Sequence, residues 1–308
     1  MPSLPIRIAT RASPLALAQA EMVAAALSGR HGLAPGDIEL VKITTSGDRV
    51  RDLRLAEVGG KGLFTKEIEE ALIAGAADIA VHSMKDVETR LADGLEIAAL
   101  MEREDPRDVL ISSMAAPSIR ALPERARLGT SSLRRGAIAR SLRPDLEIVT
   151  LRGNVGTRLA RVEDGAVDAT LLARAGLNRL GLEPANGFTI EIEEMLPAVA
   201  QGAIGIEIRE GDTATRDLVA PLGHEPTRIA VTAERALLAA LDGSCRTPIA
   251  ALATRRGTEL HLRALIARPD GTRVVRAGEH GPASEPARLG EIVARRLLAS
   301  AGPGFLDP

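Results

Sequence analysis

Short runs of β-branched and aliphatic residues alternate with amphipathic stretches through about the first 220 residues, and this alternation constrains the fold more than any other feature. It predicts an α/β architecture with mainly parallel strands. Strands are expected at residues 6–10, 38–44, 78–83 and 95–100, with a helix at 63–74. Ser13 followed by Pro14 supplies an N-cap and a proline at the first helical position, which opens a helix reaching about residue 28. A second unit of the same kind starts near Asp105-Pro106-Arg107, with strands at 109–112, 127–129, 147–151 and 169–172 and helices at 132–142 and 155–162. Beyond Pro226 a helix at 228–241 precedes three segments, 248–254, 259–267 and 273–277, that read as an antiparallel meander with an Asp270-Gly271 turn. A helix at 286–299 closes the chain's pattern. At 308 residues the chain is long for one core of ordinary size, so two or three domains are expected.

Composition removes several function classes. No run of about 18 apolar residues occurs, and the first residues lack a basic segment followed by an apolar stretch, so neither membrane insertion nor export is expected. The one cysteine, Cys245, cannot form an intramolecular disulfide, which fits a reducing compartment. A net charge of −2 and 1% aromatics, with no Trp or Tyr, leave nucleic acid little to be attracted to or to stack on. Of the 39 basic residues only four are lysines (Lys42, Lys61, Lys66, Lys85). A genome that favours Arg codons accounts for this, and it makes each remaining lysine more informative.

Five segments carry candidate chemistry. Gly59-Gly60-Lys61-Gly62 lacks the spacing of a phosphate-binding loop, since Leu63 follows and no Ser or Thr comes directly after the lysine. It reads as a flexible loop in which Lys61 could face a ligand. His82-Ser83-Met84-Lys85-Asp86 falls at the C-terminal end of an expected buried strand, the edge of an α/β sheet where ligands bind. Lys85 and Asp86 there form either a surface ion pair of little energy or a carboxylate that handles protons beside a cation that holds an anion. Gly129-Thr130-Ser131-Ser132-Leu133-Arg134-Arg135 puts two arginines in the first turn of a helix. Cations there oppose the macrodipole, so either the turn is solvated or an anion sits among them. Leu151-Arg152-Gly153-Asn154-Val155-Gly156-Thr157-Arg158 repeats the arrangement. Between residues 134 and 179 nine arginines face five acids, a local excess of +4 that favours a polyanionic ligand. Cys245 lies in a turn of small residues beside Arg246, where a thiolate is favoured; a small buried hydrophobe is the other reading.

Together with Ala9-Thr10-Arg11-Ala12-Ser13-Pro14, Val58–Phe64 and Leu196-Pro197-Ala198-Val199-Ala200-Gln201-Gly202-Ala203, these segments resemble the hydroxymethylbilane synthase (porphobilinogen deaminase) family in order and along almost the whole chain. The resemblance implies three domains: 1–103 with 198–222, and 104–197, both like type II periplasmic binding proteins, and a small α+β domain at 223–308 with an antiparallel sheet. It implies a dipyrromethane cofactor held through a thioether to Cys245, and Asp86 as the catalytic acid/base. Around the cofactor it places Ser83, Lys85, Thr130, Ser132, Arg134 and Arg135; around porphobilinogen and the growing chain it places Arg11, Ser13, Arg152, Arg158 and Arg179. A cytoplasmic monomer needing neither metal, membrane nor nucleic acid is expected. Three positions depart from the family pattern: Glu57 where a basic residue is found in some relatives, Glu88 where proline is usual, and Ser244 where glycine is frequent. The competing class is a non-enzymatic anion-binding protein of the same architecture, since fold alone does not establish function. Such a protein would have no use for Cys245.

Overall fold

The computed structural model of the chain describes residues 3–49, 65–114, 116–243 and 247–306. In chain order the elements are β1 (Ile6–Arg11), α1 (Pro14–His31), β2 (Ile38–Ile43), α2 (Ser46–Arg49), α3 (Lys66–Ile73), β3 (Ile79–Ser83), β4 (Leu95–Leu100) and β5 (Asp108–Ser112). They continue with β6 (Arg127–Gly129), α4 (Leu133–Leu142), β7 (Glu147–Val149), α5 (Val155–Glu163), β8 (Ala169–Ala173), α6 (Arg174–Arg179) and β9 (Gly187–Thr189). The rest are β10 (Ile204–Arg209), α7 (Thr213–Val219), α8 (Glu225–Ala240), β11 (Ile249–Arg256), β12 (Glu259–Ala267), β13 (Val274–Pro282) and α9 (Pro286–Ala301).

The described residues form two compact units. The first comprises those within Met1–Leu53, Val58–Arg103 and Ala203–Arg228; the second, those within Glu104–Gly202 and Ile229–Pro308. In the first, the strand order is β2-β1-β3-β10-β4. β1 pairs parallel with β2 and β3, whereas β10 runs antiparallel to β3 and β4. Ile6, Ile8, Ile79, Val81, Ile204 and Ile206 share one buried cluster with Ala20, Val23 and Leu27 of α1. Ala9 and Ala80 belong to another, with Ile68 and Leu72 of α3. Covering on both faces is why Ile79-Ala80-Val81 of β3 reads as an unbroken apolar run. Each fully buried Ile or Leu contributes roughly 1.5–3 kcal/mol.

The second unit repeats the plan with the order β7-β6-β8-β5-β9. Here β6 pairs parallel with β7 and β8, and β5 runs antiparallel to β8 and β9. The antiparallel sheet β11-β12-β13 belongs to the same unit, and Leu252 and Leu265 share a buried cluster with Leu110, Leu128 and Ile138.

Most expected elements appear within a few residues of their bounds. The helix expected from residue 63 starts at Lys66 among the described residues, and β13 runs on to Pro282 because β12 pairs with it from Ala267 to Glu259. Two strands lacked any sequence expectation. β9 has three residues and β10 pairs only with strands more than 100 residues earlier. Such pairing leaves no local mark in the chain. No helix among the described residues is long and apolar enough to cross a membrane.

Candidate active site

In the first unit, β3 ends at Ser83 and the chain turns at once into a 3-10 turn, Met84–Asp86. Two contacts hold that turn. The Met84 N–H donates to Ala203 O at 3.0 Å, and the Met84 side chain, 2% exposed, fills the space that a Cβ on Gly205 would need. β10, the strand returning from the second sheet, thus seats the segment carrying Lys85 and Asp86. Both residues are half-buried.

Asp86 lines a small cleft with Arg11, Ser13, Gln19, Thr65 and Ser83. Its walls are tied to secondary structure. Ser13 caps α1, its Oγ accepting from Ala16 N at 3.4 Å, and Thr10 Oγ1 donates to Ala16 O at 3.1 Å. Buried Gln19 donates from Nε2 to Ser83 Oγ at 2.9 Å, joining α1 to the end of β3. One residue before Ser83, His82 Nε2 lies 2.8 Å from Glu207 Oε2 in a pair that is buried on both sides. Gln19 and Glu207 had no role in the sequence reading. The available signal was Glu207 itself, an acid among isoleucines in Ile204–Arg209.

In the second unit, Ser132 caps α4, its Oγ accepting from Arg135 N at 3.4 Å, and Thr130 Oγ1 accepts from Ser132 N at 3.1 Å. Arg134 and Arg135 follow, and they are not solvated: their side chains are 5% and 6% exposed. The sequence left open a solvated turn or a bound anion; the anion among them in the structure is a side chain of the protein, Asp108. Its Oδ2 accepts from Arg134 Nη2 at 2.8 Å and its Oδ1 from Arg135 Nη2 at 2.7 Å. Burial pushes the Asp108 carboxyl up, but Arg134 and Arg135 more than offset this and hold it well below the usual carboxylate range. Gln201 Nε2 donates to Asp108 Oδ1 at 2.9 Å. The Nε atoms of Arg134, Arg135 and Arg179 are buried and have no partner among the described residues.

Asn154 caps α5, its Oδ1 accepting from Thr157 N at 2.8 Å. Gly153, at φ +114°, occupies a conformation that L side chains rarely adopt, and a Cβ there would meet Thr157 at 2.9 Å. This turn brings Arg158 Nε within 3.0 Å of Gly153 O, while Arg152 is half-buried just before it. Arg179, at the end of α6, donates from Nη2 to Gly202 O at 2.6 Å, and burial lowers its pKa to about 10.

The arginine excess does not amount to nine open cations, because Arg143, Arg161 and Arg174 are paired with Asp145, Asp164 and Glu183. The expected site residues therefore form two groups: Arg11, Ser13, Ser83 and Asp86 along the first unit's cleft, with Lys85 beside them in sequence, and the Thr130–Arg135 segment with Arg152, Arg158 and Arg179 in the second unit. Cys245, with Ser244 and Arg246, lies outside the described residues, as do Glu57 and the loop around Lys61.

A dipyrromethane bearing acetate and propionate groups fits this chemistry, since the buried Nε–H groups of Arg134 and Arg135 are donors suited to carboxylates. The family model described as "Porphobilinogen deaminase, dipyromethane cofactor binding domain" matches residues 6–217, and "Porphobilinogen deaminase, C-terminal domain" matches residues 228–299. The porphobilinogen deaminase of Paracoccus denitrificans (strain Pd 1222) is 51% identical over 306 residues, covering 99% of this chain and 97% of that one. Among solved structures, an ancestral cationic amino acid solute binding protein aligns with 70% of this chain and 87% of its own at 16% identity and a TM-score of 0.44. The periplasmic VFT2 domain of Bordetella pertussis BvgS aligns with 70% of this chain and 86% of its own at 14% identity and a TM-score of 0.41.

Proposed function

The chain belongs to the porphobilinogen deaminase family, and on that premise we propose how its residues perform the reaction of a hydroxymethylbilane synthase, the transferase that condenses four porphobilinogen molecules into a linear tetrapyrrole with release of ammonia. The dipyrromethane cofactor supplies the pyrrole carbon from which the chain is extended.

Asp86 is the acid/base of the proposal. As ammonia leaves the aminomethyl carbon of porphobilinogen, positive charge develops on the pyrrole, and a carboxylate already fixed beside it lowers that barrier without reorganisation. The same carboxylate can then accept the proton that a pyrrole carbon sheds once a new bond has formed at it. The observation that carries this reading is the seating of Asp86 in the cleft with Arg11, Ser13 and Ser83 at the C-terminal edge of β3. Arg11 and Ser13, with Arg152, Arg158 and Arg179, hold the carboxylates of substrate and lengthening chain. Ser83, Lys85, Thr130, Ser132, Arg134 and Arg135 hold those of the cofactor, whose thioether is to Cys245; the orphan Nε–H groups of Arg134 and Arg135 support the arginine assignments.

In this proposal the Lys85-Asp86 segment belongs to a domain of 1–103 and 198–222, the arginine-rich sites to 104–197, and Cys245 to 223–308. The enzyme works as a cytoplasmic monomer that binds no nucleic acid. The test is Asp86→Asn, which keeps shape and removes charge. Turnover of porphobilinogen should fall by roughly 10²-fold or more while the cofactor and fold persist. Near-normal turnover by a folded Asp86→Asn enzyme refutes the role.

A further inference from the structure

Arg134 and Arg135 are consecutive residues of one helix, so their side chains leave it about 100° apart, and their like charges repel. Nevertheless both guanidinium groups reach one carboxylate. Asp108, the first residue of β5, has 0% exposure and gives one oxygen to each arginine, at 2.8 and 2.7 Å. Gln201 fixes the carboxylate in turn, its Nε2 donating both to Asp108 Oδ1 at 2.9 Å and to Pro106 O at 2.7 Å. Backbone carbonyls take the remaining ends: Arg134 Nη1 donates to Leu196 O at 2.7 Å and Arg135 Nη1 to Leu171 O at 2.8 Å.

All these partners use the Nη atoms and leave each buried Nε–H without a partner among the described residues. Two cations also share a single anion, so the triad carries one uncompensated positive charge. A cluster selected for packing alone would close its charges and donors, because buried unpaired ones are costly. A second carboxylate, arriving from a ligand, would satisfy both deficits.

We infer that Asp108 is a positioning residue, which acts on the cofactor carboxylates only through Arg134 and Arg135, by holding the two guanidinium groups together and setting the net charge they present. This rests on the assignment of those arginines to the cofactor, and the test separates the two. Full-length chain prepared free of cofactor is incubated with porphobilinogen, and intact mass follows the gain of the dipyrromethane; hydrogen exchange checks that each variant is folded. Asp108→Asn should slow loading at least tenfold, as should Arg134→Leu and Arg135→Leu. Because Asp108 works through the arginines, the effects of Asp108→Asn and Arg135→Leu should not multiply when combined. A role for Asp108 independent of the arginines would multiply them, and that result overturns the inference. Wild-type loading by Asp108→Asn, with slow loading by the arginine variants, overturns the inference and leaves the arginine assignment standing. Normal loading by both arginine variants overturns both. Should Asp108→Asn fail to fold, Gln201→Met keeps the Asp108 charge but removes the amide N–H groups on Asp108 Oδ1 and Pro106 O; it should slow loading several-fold by a route that Arg135→Leu masks, and wild-type loading by it overturns the inference.

Discussion

Gly205→Ala tests whether β10 sets the position of Asp86, the proposed acid/base. The added Cβ would overlap the Met84 sulfur, lie 3.1 Å from Met84 Cγ and meet Leu100 Cδ2 at 3.5 Å. Met84 is 2% exposed and its N–H is tied to Ala203 O, so the side chain cannot simply swing into solvent. Inserting a methyl into a full core costs about 1–3 kcal/mol. Methionine's adaptability places this case toward the lower half, near 1–2 kcal/mol. Met84 begins the turn that ends in Asp86, so relief of the overlap displaces the carboxylate, and a misplacement of about 1 Å can cost on the order of 10²-fold in rate. Urea unfolding should therefore show the modest loss of stability, and steady-state assays a larger loss of turnover than of substrate affinity. Met84→Ala added to Gly205→Ala vacates the contested space, so the double variant should lose less stability than the sum of the two single losses. Wild-type stability and turnover in Gly205→Ala would refute the reasoning.

Acid should act through the paired aspartates. Asp78 accepts from Arg7 N, Nε and Nη2 at 2.9, 3.1 and 2.7 Å; burial pushes its carboxyl up, but Arg7 brings it below its ordinary value of 3.8. A folded-state pKa below the unfolded one contributes stability that is complete above about pH 4–5 and is lost as pH falls through the folded value. Urea midpoints should hold steady to about pH 5 and drop below pH 4, and Asp78→Asn, weaker at pH 7, should drop less; an equal acid loss in both proteins counts against the pairing. Arg158→Leu should keep the cofactor yet slow particular additions. Under limiting substrate, anion exchange should resolve complexes retained more strongly with each added unit, in altered proportions for this variant; only free enzyme and finished product at every substrate ratio would contradict stepwise growth.

What could be read from the chain followed locality. Ser13-Pro14 placed the start of α1 because cap and proline act within one turn, and the structure has Pro14 at the first helical position with Ser13 as cap. The strand ending at Ser83 and the turns before α4 and α5 were legible for the same reason. β10 was not, because its partners are β3 and β4, far back in sequence, and its Glu207 masks the apolar pattern by pairing with His82 inside the core. For the arginines of α4 the sequence left open a solvated turn or a bound anion, and nothing local marks Asp108, 26 residues before Arg134, as the carboxylate that pairs with them. Gln19 and Gln201 escaped notice because a buried amide is recognisable only by what it bonds.

The most direct measurement is the intact mass of the purified protein, followed by peptide mapping. A covalently primed transferase predicts a mass excess equal to two linked pyrrole units, confined to the peptide that contains Cys245 and absent, together with activity, from Cys245→Ser. An unmodified Cys245 in fully active enzyme would contradict it.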